Sequence, residues 1–205
     1  MAYQIHNISL FPVDEFPYYF CDANVWIATL KYYGIGGVES YEVPYQTFID
    51  AIVNLNTTQD SQAIKRIKNK PKIVLSSLVL SEIINSFMRK VAMRAFFGGG
   101  DNYKNYDFKS QYRDDPNSDY KKQLRNLCTD ISSFSDYTLV QNDDFADIEP
   151  FKWLVQLSTI DADFNDYYYY QYLKGKNIPF VTHDGDFKFP DVPIVTANKN
   201  LLKLA

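Results

Sequence analysis

Apolar positions alternate along the chain between two patterns. Short unbroken runs at 18–21 (YYFC), 73–75 (IVL), 178–182 (IPFVT) and 193–196 (PIVT) fit strands buried on both faces. Longer stretches carry the helical period. One covers 24–33 and ends at Gly34. A second, over 45–68, places Phe48, Ile49, Ile52, Val53 and Leu55 on one side. A third, 78–97, is stopped by Gly98-Gly99-Gly100, and a fourth, 161–174, by Gly175 and Asn177. Shorter helical pieces fit 118–134 and 150–158, with the polar stretch 141–147 between them, and a short helix closes the chain. Residues 101–120 are polar and tyrosine-rich and read as an exposed excursion. Strand and helix signals alternate, which predicts an α/β fold with a central, mostly parallel sheet flanked by helices. The expected organisation is one domain over 1–205, enlarged by an insertion around 99–150.

Composition narrows the classes. Hydrophobic residues are 46% and charged residues 22% of 205, which excludes a wholly disordered chain. The net charge of −4 excludes a strongly basic chain, though not a local basic patch. Lys65, Arg66, Lys68, Lys70 and Lys72, with Arg89, Lys90 and Arg94, could follow a phosphate backbone or form a solvated face. No apolar run approaches the ~18–20 residues needed to span a bilayer, so no membrane partner is expected. The N-terminus lacks a basic start followed by an apolar run, so no secretory signal is expected. The only two cysteines, Cys21 and Cys128, form no disulfide framework and suit a reducing cytosol, so a cytoplasmic location is expected.

Chemistry concentrates where strands end. Asp22 follows the first run, Glu82 lies early in the helix after the second, and Asp184 follows the third. In a parallel sheet these positions share the carboxyl edge, where ligands bind. Asp166 joins them if its helix starts near that edge. Two carboxylates ~4 Å apart repel by about 4 kcal/mol at an effective dielectric of 20, so such a group either holds protons or collects a cation. All-oxygen donors select Mg²⁺ or Mn²⁺.

These residues resemble the acidic motifs of the PIN-domain ribonucleases. Asp22-Ala23-Asn24-Val25 looks like the first motif, and Ser76-Ser77 with Ser81-Glu82-Ile83 like the second. Asn165-Asp166 looks like the third, and Thr182-His183-Asp184-Gly185-Asp186-Phe187 like the closing one. Order and rough spacing agree over 18–196. The resemblance implies a three-layer sandwich and a divalent metal-dependent endoribonuclease acting on single-stranded RNA through a metal-activated water. It implies Asp22, Glu82, Asp166 and Asp184 as catalytic metal ligands, with Asn24 and Thr182 in support. Its settings include the toxin of a toxin–antitoxin pair, with an antitoxin protein as partner, and its members include homodimers. The alternative is a non-catalytic PIN-like RNA-binding or scaffold protein. A haloacid-dehalogenase-type phosphatase would need Asp at position 24, where this chain has Asn24. The long 99–150 region and the bulky tyrosines at 167–170 depart from the family pattern.

Each position also has a plainer role. Asp22 or Asn24 could only cap a helix, and Glu82 could only offset a helix dipole. Asp163 and Asp166 lie three apart, so one can cap while the other binds metal; Asp166 fits the spacing to Thr182 better. Asp186 is either a turn residue or a secondary ligand beside Asp184. Ser77 could cap or bind a carboxylate. His183 is either a general acid or a solvated turn residue. Cys21 reads as a small core residue. Tyr167, Tyr168, Tyr169, Tyr170 and Tyr172 cover every side of their helix, so some are expected at the surface or an interface.

Overall fold

A computed structural model describes residues 3–205 apart from 34, 36, 144, 158, 160 and 161. Gly34 as a helix end and Asp161 as a helix start therefore lie outside the described residues. The chain is an α/β three-layer sandwich around one parallel sheet. Six strands are described: β1 (Ile5–Asn7), β2 (Tyr18–Cys21), β3 (Lys72–Leu75), β4 (Thr138–Val140), β5 (Phe180–Val181) and β6 (Ile194–Thr196). They lie in the order β1-β6-β5-β2-β3-β4 with every pair parallel. From β2 the chain builds outward through β3 and β4, then returns to β5 on the other side of β2. That reversal opens a crevice at the carboxyl ends of β2 and β5.

The helices are α1 (Ala23–Tyr33), α2 (Val43–Thr57), α3 (Ser61–Ile64), α4 (Ser77–Phe87), α5 (Met93–Phe96), α6 (Tyr120–Ser132), α7 (Pro150–Leu157), α8 (Phe164–Leu173) and α9 (Lys199–Leu202). Alternation along β2 sets the layers, because successive side chains point to opposite faces. Tyr19 meets Phe48 of α2 edge-on at 5.1 Å, whereas Phe20 meets Tyr169 and Tyr172 of α8 at 5.1 and 5.6 Å. Cys21 is buried in this core.

The structure departs from the expected elements in four places. The helix expected over 45–68 breaks between Thr57 and Ser61, where Asp60 caps α3 through the Gln62 amide. The rod over 77–96 holds a π turn at Met88–Ala92. β1 and β4 carry no long apolar run, and pairing with β6 and β3 supplies what local pattern does not. The stretch 101–120 is not wholly exposed, because Tyr112 is fully buried among Phe96, Phe108 and Tyr120.

Residues 120–140 are built into the body. Leu127 of α6 is buried, Phe134 stacks edge-on with Trp26 of α1 at 5.6 Å, and β4 pairs with β3. Leu127→Ala is therefore expected to lower stability by about 2–5 kcal/mol, the cost of emptying a packed leucine site. Urea unfolding should show one transition displaced as a whole. Among the described residues no helix is long and apolar enough to cross a membrane.

Candidate functional site

Backbone pairing continues just past the strand ends. The Asp22 amide donates to Val181 O (3.0 Å), the Thr182 amide to Val195 O (3.2 Å) and the Gln141 amide to Leu75 O (3.1 Å). Asp22, Thr182, Gln141 and Ser76 thus stand along one edge. Ser76, buried, caps α4 by accepting from the Val79 amide at 3.4 Å. This turns α4 away from the sheet with Glu82 one and a half turns in.

Asp22 stands at the start of α1. Its backbone carbonyl takes the Val25 and Trp26 amides, which frees the side chain for other partners. Thr182 Oγ1 donates to Asp22 Oδ2 at 2.7 Å, and Asn24 Nδ2 donates to the same oxygen. Asn24 Oδ1 accepts the His183 amide (3.2 Å), and Thr182 Oγ1 accepts the Asp184 amide (2.9 Å). Asn24 and Thr182 therefore clamp the Asp22 carboxylate to the 182–184 turn.

Glu82 is held from α8. Tyr169 Oη donates to Glu82 Oε2 at 2.8 Å and Asn165 Nδ2 to the same oxygen at 3.3 Å. Among the described residues no donor reaches Glu82 Oε1. Asp163 is the α8 cap, its Oδ1 taking the Asp166 amide at 2.9 Å. Asp166 stands in the first turn, half-buried. Asp184 and Asp186 are both exposed; the Asp186 amide bonds Asp184 Oδ1 (2.9 Å), and the Asp186 carboxylate lies 3.8 Å from Lys188 Nζ.

Four acids share one electrostatic field. Burial pushes the Asp22 carboxyl up to about 7. The Thr182 hydroxyl and Ala23 amide pull against this, while Glu82 and Asp184 add to it. Burial likewise raises Asp166 to about 8, with Asp163, Asp184, Asp22 and Glu82 adding to the rise. Tyr169 is raised by burial and then by Glu82, which keeps its hydroxyl protonated and donating. Asp22, Glu82, Asp166 and Asp184 thus act on one another across the crevice. Still, among the described residues no three or more His, Cys, Asp or Glu are gathered tightly enough to hold a metal ion.

The donor set suits a hard divalent cation. Mg²⁺ is commonly held by only one or two carboxylates and completes its shell with water. Carboxyls with raised pKa beside further acids are groups that a cation would return to the charged form.

Two minor expectations change. His183 is half-buried rather than free in solvent, since its ring lies against Tyr41 (centroids 4.7 Å) and its Nδ1 is 3.0 Å from Tyr45 Oη. None of the five α8 tyrosines is exposed: Tyr167, Tyr168, Tyr169 and Tyr172 are buried and Tyr170 is half-buried. The helix is enclosed by the sheet on one side, Trp153 of α7 and Phe189 on another, and Gln141, Asp143 and Phe145 on a third. Each hydroxyl finds a partner: Gln156, Asp143 O, Glu82, Asp191 and Gln141 in turn.

Residue reasoning missed Tyr169, which looks like its neighbours in a tyrosine run, and Asp143. The latter, in the loop after β4, takes both the Ser77 amide (3.0 Å) and the Ser77 hydroxyl. Ser77 is thus bound to a carboxylate while Ser76 caps. No family model matches this chain, and no curated protein matches it.

Proposed function

We propose that the chain is a divalent-metal-dependent endoribonuclease acting on single-stranded RNA. The observation that supports this most is the pair of clamped acids, Asp22 and Glu82, in one field with Asp166 and Asp184 at the sheet's switch point. The resemblance of the four acidic motifs to PIN-domain ribonucleases points to the same reaction.

Asp22, Glu82, Asp166 and Asp184 would hold Mg²⁺ or Mn²⁺, directly or through water. When bound, such an ion readies water for attack on phosphorus and neutralises the leaving oxygen. Thr182 and Asn24 keep Asp22 in one orientation, and Tyr169 and Asn165 do the same for Glu82. No enzyme nucleophile is required, and the family resemblance implies products with a 5′-phosphate and a 3′-hydroxyl. RNA turnover and a toxin's attack on RNA are both served by this chemistry.

The test is cleavage of an unstructured RNA with Mg²⁺ and with chelator, followed by end-group analysis. Wild-type protein should cut only with the metal, and Asp184→Asn should cut far more slowly. RNA binding without cleavage under any divalent ion would instead make the chain a non-catalytic RNA-binding protein.

The Glu82 clamp makes its own prediction. Groups behind a ligand typically contribute 10–100-fold to metal affinity. Tyr169→Phe is therefore expected to weaken Mn²⁺ binding about tenfold in calorimetric titration. Tyr170→Phe, which loses contacts to Asp191 and Lys174 rather than to Glu82, should bind Mn²⁺ like the wild type. Equal affinity in all three proteins would remove Glu82 from the ion.

A further inference from the structure

A cleft of about 890 Å³ opens beside the acids. One wall is α1, where Asn24, Ala28 and Lys31 recur at the spacing of one helical face. The other wall is the rod that follows β3, through Lys90 and Arg94. Asn24 and Asp184 belong both to the acid cluster and to the cleft, so the two are continuous.

The π turn contributes to this wall. At about 100° per residue, Arg94 of an unbroken α-helix would stand some 120° around from Glu82. One extra residue in the turn takes away about 100° and brings Arg94 back toward the Glu82 side. The Met93 amide bonds Met88 O, which closes the five-residue step. Arg94 Nε then donates to Gly100 O at 2.9 Å, which orients the guanidinium. Gly98, Gly99 and Gly100 all have positive φ, a conformation that lets the chain turn tightly enough to present that carbonyl.

The charges in the cleft do not all count equally. Lys31 and Glu42 are largely buried and neutralise each other at 2.6 Å. Exposed Lys90 and Arg94 face exposed Glu39 and Asp184, so the cationic side is local to the rod.

An aromatic platform completes the cleft. His183 is anchored three times: its amide on Asn24 Oδ1 (3.2 Å), its carbonyl on Asn198 Nδ2 (2.7 Å) and its Nδ1 beside buried Tyr45 Oη (3.0 Å). Tyr41 stacks on this fixed ring at 28° and remains 44% exposed, which leaves aromatic surface open to the cleft.

We propose that the cleft seats the nucleotide next to the scissile phosphate of a single-stranded RNA. Its base stacks on the Tyr41–His183 pair and its phosphate meets Lys90 and Arg94. This rests on the ribonuclease reading for the identity of the strand. A stacking surface accepts any base, because every base has a π face, so this site sets strand position rather than sequence. Recognition of a nucleobase by a held aromatic pair also explains why an exposed tyrosine lies flat on a histidine whose amide, carbonyl and Nδ1 anchor the 182–184 turn.

Binding is read by fluorescence anisotropy of a short fluorescein-labelled oligoribonucleotide without divalent ion, so hydrolysis does not enter. Tyr41→Ala, with an unchanged melting temperature, is expected to weaken binding about tenfold, and Tyr41→Trp to restore it. Arg94→Ala should weaken binding and flatten the plot of log affinity against log salt by about 0.7. An oligonucleotide with abasic positions should bind wild type as weakly as the intact one binds Tyr41→Ala. The proposal is overturned if Tyr41→Ala binds like wild type, or if abasic and intact strands bind alike. Tyr41-dependent binding without Mg²⁺-dependent cleavage leaves the base site standing and removes the ribonuclease reading. Cleavage indifferent to Tyr41→Ala does the reverse.

Discussion

Asp22→Asn is expected to lower the rate of Mg²⁺-dependent RNA cleavage by about three orders of magnitude, roughly 4 kcal/mol of barrier, in a protein that still folds. The substitution changes charge and almost nothing else. An asparagine Oδ1 in the place of Asp22 Oδ2 still accepts from Thr182 Oγ1 and Asn24 Nδ2, so the 182–184 turn keeps its clamp. What disappears is a negative charge at a position 8% exposed, beside Glu82 and Asp184. A loss of fold would register as a loss of ellipticity; a loss of chemistry would not. Single-turnover cleavage with circular dichroism on the same sample separates them. A variant that cuts within a few-fold of wild type would show that Asp22 serves the turn rather than the reaction.

The parts of the fold legible in the sequence are those whose signal is local. The runs at 18–21, 73–75 and 193–196 are apolar enough to announce buried strands, and β2, β3 and β6 lie on them. Glycines 98–100 end the long rod as their conformational freedom predicts. β4 illustrates the opposite case. Thr138-Leu139-Val140 is three residues long, its Val140 is 77% exposed, and only its pairing with β3 makes it a strand. Tertiary context decides such a segment, not propensity.

The α8 tyrosines carry the same lesson at the site. A helix bearing aromatics on every side has no amphipathic stripe, so its sequence cannot say which side is wet. Enclosure on several sides removes the question, and five hydroxyls then need five partners. One of those partners is Glu82. The acids were legible because connectivity brings strand ends to one edge. The donors that orient them were not, because Tyr169 reaches Glu82 across 87 positions of chain. Asp163 lies between these cases. Its spacing suggested a cap, and its Oδ1 does take the Asp166 amide.

Without metal, the protein is expected to lose stability steadily as pH rises from about 4 to about 8. The sign follows from the two raised carboxyls. In the unfolded chain Asp22 and Asp166 ionise near their ordinary 3.8, whereas in the fold they ionise near 7 and 8. Between those limits the unfolded chain has released protons that the folded one retains, so each step up in pH favours unfolding. Below the window both states are protonated, and above it both are ionised, so these two groups add no further slope. For buried Asp22 the span corresponds to about 4 kcal/mol, at roughly 1.4 kcal/mol per unit. A divalent ion reverses the trend because it binds the charged form. At a hundredfold excess over its dissociation constant it adds about 2.7 kcal/mol, a rise of roughly 5–10 °C for a domain of this size. That rise should be present at pH 8.5 and nearly absent at pH 5, where protons compete for the same oxygens. Asp22→Asn and Asp166→Asn should each flatten the metal-free profile and shrink the Mn²⁺ response. Scanning calorimetry across pH, with and without Mn²⁺, measures both effects. A melting temperature that Mn²⁺ raises equally at pH 5 and 8.5 would place the ion away from these two carboxylates, and with it the chemistry.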